Sequence, residues 1–258
     1  PMSELGLSQE TIDTAGTTLG VSGANEAKRV QKEYMQNHRL NIPTLLMADI
    51  IHGFRTIFPI PLALGSTWDE AAVEKMAEIS AKEAAVSGLH VTFSPMVDLV
   101  RDPRWGRVME STGEDPLLNS RLAAAMVRGY QGENLKEDNW RVAACVKHFA
   151  AYGGALAGRD YNTVDMSERQ LREMYLPGYK AGLDAGAKLV MTSFNTVDGI
   201  PATGNQWLFR DVLRNEFGFE GVVISDWGAI KELIPHGVAK DEKQAAELAI
   251  KAGVDIEM

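Results

Sequence analysis

Short apolar runs alternate with longer amphipathic stretches along this chain. The clearest apolar run lies in Gly221–Ala229, where three β-branched residues lead directly into Ser225-Asp226-Trp227-Gly228. An apolar run without alternating polar residues is typical of a strand that is buried on both faces of a parallel sheet. Further runs predict strands near residues 18–22, 44–48, 89–93, 142–149, 188–194 and 254–258.

The amphipathic stretches predict helices, and several of them carry end signals. Thr67-Trp68-Asp69-Glu70 has the form of a capping box, so we expect Thr67 to cap a helix that continues to about Val86. Pro116 fits the first position of a helix over residues 116–131, and Ser167 begins another helix. Further helices are predicted over residues 25–37, 207–217 and 240–252, whereas residues 1–16 show no clear strand and the Pro-containing segment 58–61 predicts a loop.

The alternation of strands and helices predicts the α/β class, with a parallel sheet that is covered by helices. The chain of 258 residues is close to the roughly 250 typical of a (β/α)8 barrel, although about seven strands are visible rather than eight. The glycine-rich motifs of nucleotide-binding folds, GxGxxG after the first strand and GxxxxGK[ST], are absent. We therefore predict one (β/α)8 TIM-like barrel domain over residues 1–258, whose first strand lies before Pro1.

Composition narrows the range of partners. The net charge of -9 argues against nucleic acid or an anionic membrane surface as the main partner. No apolar run approaches the ~20 residues that a membrane-spanning helix needs. Cys145 is the single cysteine and lies in an apolar run, so we predict a buried hydrophobic residue. It cannot form an internal disulfide, and the cellular compartment stays undecided.

Charged and hydrogen-bonding residues collect where the predicted strands end. They are Asp49, Asp98, Lys147, His148, Ser193, Asn195, Asp226 and Glu257, with Arg107 in the loop beyond Asp98. Because strand ends in an α/β barrel meet at one mouth, we expect these side chains to converge. Phe194 and Trp227 add aromatic faces, and such a combination is typical of a sugar site. His pairs or clustered Cys at metal-ligand spacing are absent from the sequence, so no metal or cofactor is expected.

Each of these residues also has a structural alternative. Asp226 could cap the helix that follows its strand. Lys147 and His148 are neighbours in an extended segment, so only one of them faces the mouth unless a bulge or a cis peptide interrupts the strand. Arg104 could form a salt bridge with a carboxylate such as Asp102 instead of binding a ligand.

Seven motifs in this chain resemble those of one enzyme family. They are Ala48-Asp49-Ile50-Ile51-His52-Gly53, Arg101-Asp102-Pro103-Arg104-Trp105-Gly106-Arg107, Gly113-Glu114-Asp115-Pro116, Val146-Lys147-His148-Phe149, Tyr161-Asn162-Thr163-Val164-Asp165, Met191-Thr192-Ser193-Phe194-Asn195 and Ile224-Ser225-Asp226-Trp227-Gly228. In this order and spacing they resemble the catalytic barrel of family 3 glycoside hydrolases, in particular the bacterial β-glucosidases. The resemblance covers nearly everything from about Asn41 to Met258.

The resemblance implies a retaining β-glucosidase, which hydrolyses terminal β-D-glucosyl residues of a small-molecule glucoside or oligosaccharide. Asp226 would be the nucleophile that forms a covalent glycosyl ester. The resemblance implies substrate contacts or pocket-lining roles for Asp49, Arg107, Lys147, His148, Arg159, Met191, Phe194 and Trp227. Among these, Asp49 would hold outer hydroxyls of the sugar, and Trp227 would shape the aglycone side. Many relatives carry Tyr where Phe194 stands.

The resemblance also implies that one catalytic group lies outside this chain. A retaining mechanism needs a second carboxylic acid to protonate the leaving group. In the β-glucosidase branch, a Glu from a separate α/β domain after the barrel supplies it, and the barrel packs against that domain. Another branch uses a His-Asp pair in the loop after its Lys-His segment, but Ala150–Ala155 contains no His. Glu257 is the only rival in the chain, so we expect this fragment to be catalytically incomplete.

Two alternative functions belong to different classes. A non-catalytic sugar-binding barrel would explain the missing acid. A Schiff-base lyase built on Lys147 is the other alternative, because strand-end lysines in barrels can form imines with carbonyl substrates.

Overall fold

A parallel sheet of six strands forms the centre of the fold in the computed structural model, which describes residues 8–21, 23–161 and 163–258. The described part of the chain forms these six strands and a two-stranded hairpin. In chain order they are β1 (Thr17–Leu19), β2 (Leu45–Ala48), β3 (Val91–Thr92), β4 (Ala143–Phe149), β5 (Leu189–Thr192), β6 (Thr196–Val197), β7 (Ile200–Pro201) and β8 (Val222–Ile224). The sheet order is β1-β2-β3-β4-β5-β8 with parallel neighbours, and β6 and β7 form a separate antiparallel hairpin. The predicted α/β class is confirmed.

The sheet continues past β8 at Ile256, which forms an isolated parallel bridge with Ile224. The Ser225 N–H donates to the Ile256 carbonyl over 2.8 Å, and the Asp255 N–H donates to the Val223 carbonyl over 2.8 Å. The strand predicted near 254–258 is therefore a single bridge. The result is a parallel half-barrel, and the further strand that we place before Pro1 stays a prediction.

Helices occupy most connections between the strands. They are α1 (Gln9–Thr14), α2 (Ala24–Asn37), α3 (Pro61–Gly65), α4 (Glu70–Val86), α5 (Pro116–Gln131), α6 (Glu168–Gln170), α7 (Leu176–Asp184) and α8 (Glu242–Ala252). Leu171–Tyr175, between α6 and α7, and Trp207–Glu216 are π-helical. Within the part of the chain that the structure describes, no helix is both long and apolar enough to cross a membrane.

The predicted cap of α4 is wrong by two residues. Asp69 is the cap, and its Oδ1 accepts the N–H of Ala72 over 2.9 Å. Thr67 is engaged elsewhere, because its hydroxyl donates to the Leu64 carbonyl over 2.6 Å. The capping-box pattern therefore identified the correct segment but the wrong side chain.

Other helix starts agree better with the sequence. Pro116 is the first residue of α5, and the Ser167 hydroxyl accepts the Gln170 N–H at the start of α6, as predicted. Helices α1 and α3 are additions to the predicted elements. Helix α3 begins at Pro61, a position where proline is tolerated because the first turn does not need its N–H.

The two faces of the sheet pack against different partners. Side chains on the inner face pack against one another, as in the layered interior of a barrel. They are Met47, Val91, Phe93, Cys145, Leu189, Met191 and Ile224. Side chains such as Val146 and Val223 point the other way and share a core with the helices. Cys145 is thus buried as predicted, and burial raises the pKa of its thiol.

Helices α4 and α5 approach closely at Gly129, where an added Cβ would lie 2.3 Å from the Glu74 carbonyl oxygen and 2.6 Å from the Ala77 Cβ. We predict that Gly129→Ala lowers the free energy of unfolding by about 1–3 kcal/mol, because the helices must separate. Urea denaturation measures this change. Gly16→Ala is the control, since nothing lies within 4 Å of its Cβ position. Equal losses at both positions would contradict the packing argument.

Candidate active site

Side chains from three strands meet at the carboxyl end of the sheet. Asp49 follows β2, Lys147 and His148 lie in β4, and Asp226 follows β8. Lys147 contacts Asp49, and His148 contacts Asp226. The predicted convergence of these four residues is therefore observed.

Strand β4 is irregular where Lys147 and His148 lie. Its register against β5 shifts between Val146 and Phe149, and the Lys147–His148 and Phe149–Ala150 peptides are cis. Across this register shift, both side chains reach carboxylates at the mouth, although they are adjacent in sequence. This is the backbone interruption that the sequence requires if both residues are to face one ligand.

The Lys147–Asp49 pair combines a buried cation with an accessible anion. Lys147 Nζ donates to Asp49 Oδ1 over 2.6 Å, and the side chains are 4% and 61% exposed, respectively. The ammonium thus holds the carboxylate in place while leaving it open to hydroxyl donors. An ion-paired ammonium has no free lone pair, which disfavours Lys147 as a Schiff-base nucleophile.

His148 lies between two carboxylates. Its Nδ1 is 2.7 Å from Asp98 Oδ2, and its Nε2 is 3.2 Å from Asp226 Oδ2. The second contact is within ion-pair distance but does not meet hydrogen-bond geometry, so Nε2 lacks an aligned partner within the described chain. A buried ring nitrogen without an aligned partner is suited to hydrogen-bond a ligand hydroxyl.

The Asp226 carboxylate is held at the mouth with 13% of its side chain exposed. Burial would raise its pKa, but the contact with His148, the Trp227 N–H and the charge of Lys147 lower the pKa below its ordinary value. The carboxylate is therefore ionised at neutral pH. Its Oδ1 accepts the N–H of the very next residue over 2.6 Å, rather than one two or three positions on as a helix cap does.

Arg107 is clamped by a residue that the sequence did not single out. Its Nε and Nη2 donate to the two carboxylate oxygens of Glu110 over 2.7 and 2.8 Å. The guanidinium also lies over the Tyr152 ring, 5.5 Å from its centroid. Burial acts to lower the pKa of Arg107, but Glu110 raises it above the ordinary value. The i,i+3 charge spacing is the only sequence signal for Glu110.

Arg104 and Arg159 make no described contact with Asp49 or Asp226. Arg104 forms an ion pair with Asp102, with Nη2 2.6 Å from Oδ2, which confirms the structural alternative. Arg159 is exposed. Among the described contacts, none joins its side chain to Asp226.

Aromatic rings form one wall near the mouth. The Phe194 ring is 4.5 Å from Tyr161, 5.7 Å from Tyr152 and 6.5 Å from His148, measured between centroids. Trp227 is 61% exposed. The ring of Tyr161 packs against Phe194, and the sequence assigns neither tyrosine a place there.

Two further candidates lie at opposite extremes of exposure. Met191 is buried in the inner face of the sheet, and its register partner is Ile224, two residues before Asp226. Glu257 is exposed. Met191 therefore supports the floor beneath the mouth, whereas Glu257 extends into solvent.

A cavity of about 430 Å³ opens beside the Lys147–Asp49 pair. Arg107, Glu110 and His52 also line it. Its volume lies within the usual range for small-molecule sites. Across residues 8–21, 23–161 and 163–258, no group of three His, Cys, Asp or Glu side chains could hold a metal ion.

Comparisons with known proteins agree on one family. Residues 13–258 match the glycosyl hydrolase family 3 N terminal domain. The periplasmic β-glucosidase of Salmonella typhimurium is 49% identical over 94% of this chain and 32% of that protein. A β-xylosidase of Formosa agariphila is 36% identical over 97% of this chain and 37% of that protein. The crystal structure of a β-glucosidase from Listeria innocua with isofagomine has a TM-score of 0.97 and 60% identity, covering 99% of this chain and 36% of that chain.

This chain belongs to glycoside hydrolase family 3 and corresponds to its N-terminal domain. The family resemblance inferred from the motifs is confirmed. The chain spans about a third of the length of the curated relatives it matches.

Glu232 is a second carboxylate near Asp226, in the turn Lys231–Leu233, and no sequence pattern marks it. Burial raises its pKa, and the negative charge of Asp226 raises it further. A carboxyl with a raised folded-state pKa destabilises the fold as pH rises through that value, and has no such effect below its unfolded value of 4.5.

We therefore predict that Glu232→Gln raises the Tm at pH 7 by roughly 1–3 °C and leaves it unchanged at pH 4. Thermal unfolding followed by circular dichroism measures both values. Glu220→Gln, at an exposed position before β8, is the control. A gain of equal size at both pH values would rule out repulsion by Asp226 as the cause.

Proposed function

We propose that the protein containing this chain is a retaining β-glucosidase that releases terminal β-D-glucosyl residues through a covalent ester at Asp226. The observation that carries this proposal is the Asp226 carboxylate itself. It is ionised, partly accessible, and next to His148, whose Nε2 lacks an aligned partner among the described residues. A displacement at a bound sugar needs an anionic nucleophile with a free hydrogen-bonding group beside it.

The reaction has two displacements. In the first, a carboxylate oxygen of Asp226 attacks the anomeric carbon, the bond to the leaving-group oxygen breaks, and that oxygen takes a proton from a carboxylic acid. In the second, the acid that gave up its proton is now a carboxylate and removes a proton from water, and the water oxygen attacks the same carbon. The ester bond breaks, and Asp226 returns as a free carboxylate.

The remaining residues bind the sugar. Asp49 accepts hydrogen bonds from outer hydroxyls, because its carboxylate is exposed while Lys147 holds it from below. Arg107, Lys147 and His148 donate to hydroxyls, and Arg159 supports them. Met191 and Phe194 line the pocket beside the nucleophile, and exposed Trp227 covers the aglycone side.

We place the acid/base carboxyl in a further α/β domain that packs over the mouth. Support comes from the relatives, which are about three times as long as this chain. Glu257 is exposed and has no described contact with Asp226, so it is a poor substitute. The proposed domain would also complete the aglycone subsite.

Glucose is the proposed sugar. The Listeria innocua β-glucosidase, which is 59% identical, has crystal structures with glucose and, as a mutant, with laminaribiose. An exposed carboxylate at Asp49 suits a hexose, because it can accept from the hydroxymethyl group that a pentose lacks. The matched relatives also include β-xylosidases, so this choice needs its own test.

The nucleophile assignment predicts slow covalent labelling by an activated 2-deoxy-2-fluoro glucoside, because fluorine slows both steps and the good leaving group needs little acid assistance. We expect one glycosyl unit on the peptide that contains Asp226, detected by mass spectrometry. Asp226→Asn should abolish the label, and Asp211→Asn, at an exposed helical site, should retain it. A label elsewhere would overturn the assignment. Glucose binding by calorimetry without label or turnover would instead favour a sugar-binding barrel.

The sugar assignment predicts a change of specificity in Asp49→Asn. We expect kcat/KM for a nitrophenyl glucoside to fall about tenfold or more relative to the xyloside, because only the glucoside carries the extra hydroxyl. Steady-state kinetics on the protein as its gene encodes it measure this ratio. Arg104→Gln should leave the ratio unchanged, since Arg104 pairs with Asp102 instead. Equal losses on both substrates would contradict the proposed contact.

A further inference from the structure

A buried carboxylate, Asp98, lies behind His148 on the side away from Asp226. Both residues are fully buried, with 0% of each side chain exposed. Asp98 lies in the loop after β3, fifty residues before its partner in sequence. It lines neither the cavity beside Asp49 nor the surface, so it acts on the site through its neighbours, and His148 is the site residue that it contacts directly.

Three hydrogen bonds fix the Asp98 carboxylate. Its Oδ2 accepts from the His148 main-chain N–H over 3.1 Å and from His148 Nδ1 over 2.7 Å. Its Oδ1 accepts from the Tyr179 hydroxyl over 2.7 Å. The same hydroxyl is also within hydrogen-bond distance of the His148 carbonyl, so Tyr179 braces both residues. The carboxylate thus contacts the backbone and the ring of one residue at once.

This arrangement determines which ring nitrogen faces the mouth. An ionised carboxylate can only accept, so Nδ1 must carry a proton. Nε2 then remains for Asp226, 3.2 Å away, and for a ligand hydroxyl beside it. In catalytic and metal sites, a carboxylate behind a histidine fixes the tautomer and the ring orientation in the same way.

We propose that Asp98 is a positioning residue that accepts a hydrogen bond from the protonated Nδ1 of His148 and holds the ring so that Nε2 faces Asp226 and the sugar. This inference rests on the proposed glycosidase function for its effect on catalysis. Its structural part, the protonated Nδ1, is independent of any substrate. Tyr179 orients the carboxylate but supplies no charge.

Asp98→Asn separates charge from shape. The His148 main-chain N–H requires an acceptor at the Oδ2 position, so the amide oxygen of Asn must take that place. The Nδ1 proton keeps an acceptor while the negative charge is lost, and the amide nitrogen then faces the Tyr179 hydroxyl, which can still donate to the His148 carbonyl. Tyr179→Phe is the matched variant, because it removes one hydrogen bond and keeps the charge.

The experiment uses the protein as its gene encodes it. We expect Asp98→Asn to lower kcat/KM on a nitrophenyl glucoside about 10- to 100-fold, the usual effect of removing a residue that orients a ligand-binding histidine. Tyr179→Phe should also lower kcat/KM, but its decrease in log(kcat/KM) should be less than about a third of the decrease in Asp98→Asn. A folded Asp98→Asn protein with wild-type Tm and kcat/KM would overturn the proposal.

Nitrogen-15 NMR of labelled histidine supplies a readout that a merely structural role would not change. The chain has five histidines, and His148→Gln assigns the relevant signal. We expect a protonated Nδ1 with a strongly downfield proton in the wild type, which moves upfield in Asp98→Asn. An unprotonated Nδ1 in the wild type would overturn the proposal even if Asp98→Asn failed to fold. Absence of wild-type turnover together with the expected spectrum would instead reject the proposed glycosidase function.

Discussion

The pairing of two neighbouring basic side chains with carboxylates from other strands organises this molecule. Lys147 and His148 are both almost fully buried, and a buried cation is costly unless a partner is near. Their partners come from separate parts of the chain, with Asp49 after β2 and Asp226 after β8. Each strand end is therefore held against β4 by an electrostatic contact, and the mouth of the half-barrel acquires its shape from these pairs.

Opposing effects set the chemical state of the mouth. Burial alone would favour a protonated, unreactive Asp226, but His148, the Trp227 N–H and Lys147 shift the balance towards the anion. Glu232 has no comparable donor among the described contacts, so burial and the charge of Asp226 raise its pKa. The pKa values of two carboxylates in one region are thus shifted in opposite directions because their hydrogen-bond donors differ. This difference is what gives the proposed nucleophile its role.

The sequence predicted the class of fold well, because buried parallel strands and amphipathic helices have distinct periodicities. It was less accurate at the ends of elements, where one local hydrogen bond decides. Thr67 fits the capping pattern, but its hydroxyl donates back to Leu64 and Asp69 caps α4 instead. Ile256 lies in a segment where apolar and acidic residues alternate, which predicts a strand, yet it forms a single isolated bridge.

By itself, the sequence determined the α/β class, the polar strand ends and the family, since these depend on local periodicity and on motifs in order. Only the tertiary structure decided which side chains meet. Asp98 contacts His148 fifty residues away and Tyr179 eighty-one residues away, and Lys147 reaches Asp49 across ninety-eight. No local pattern encodes such contacts, because they form only when the strands have assembled in register.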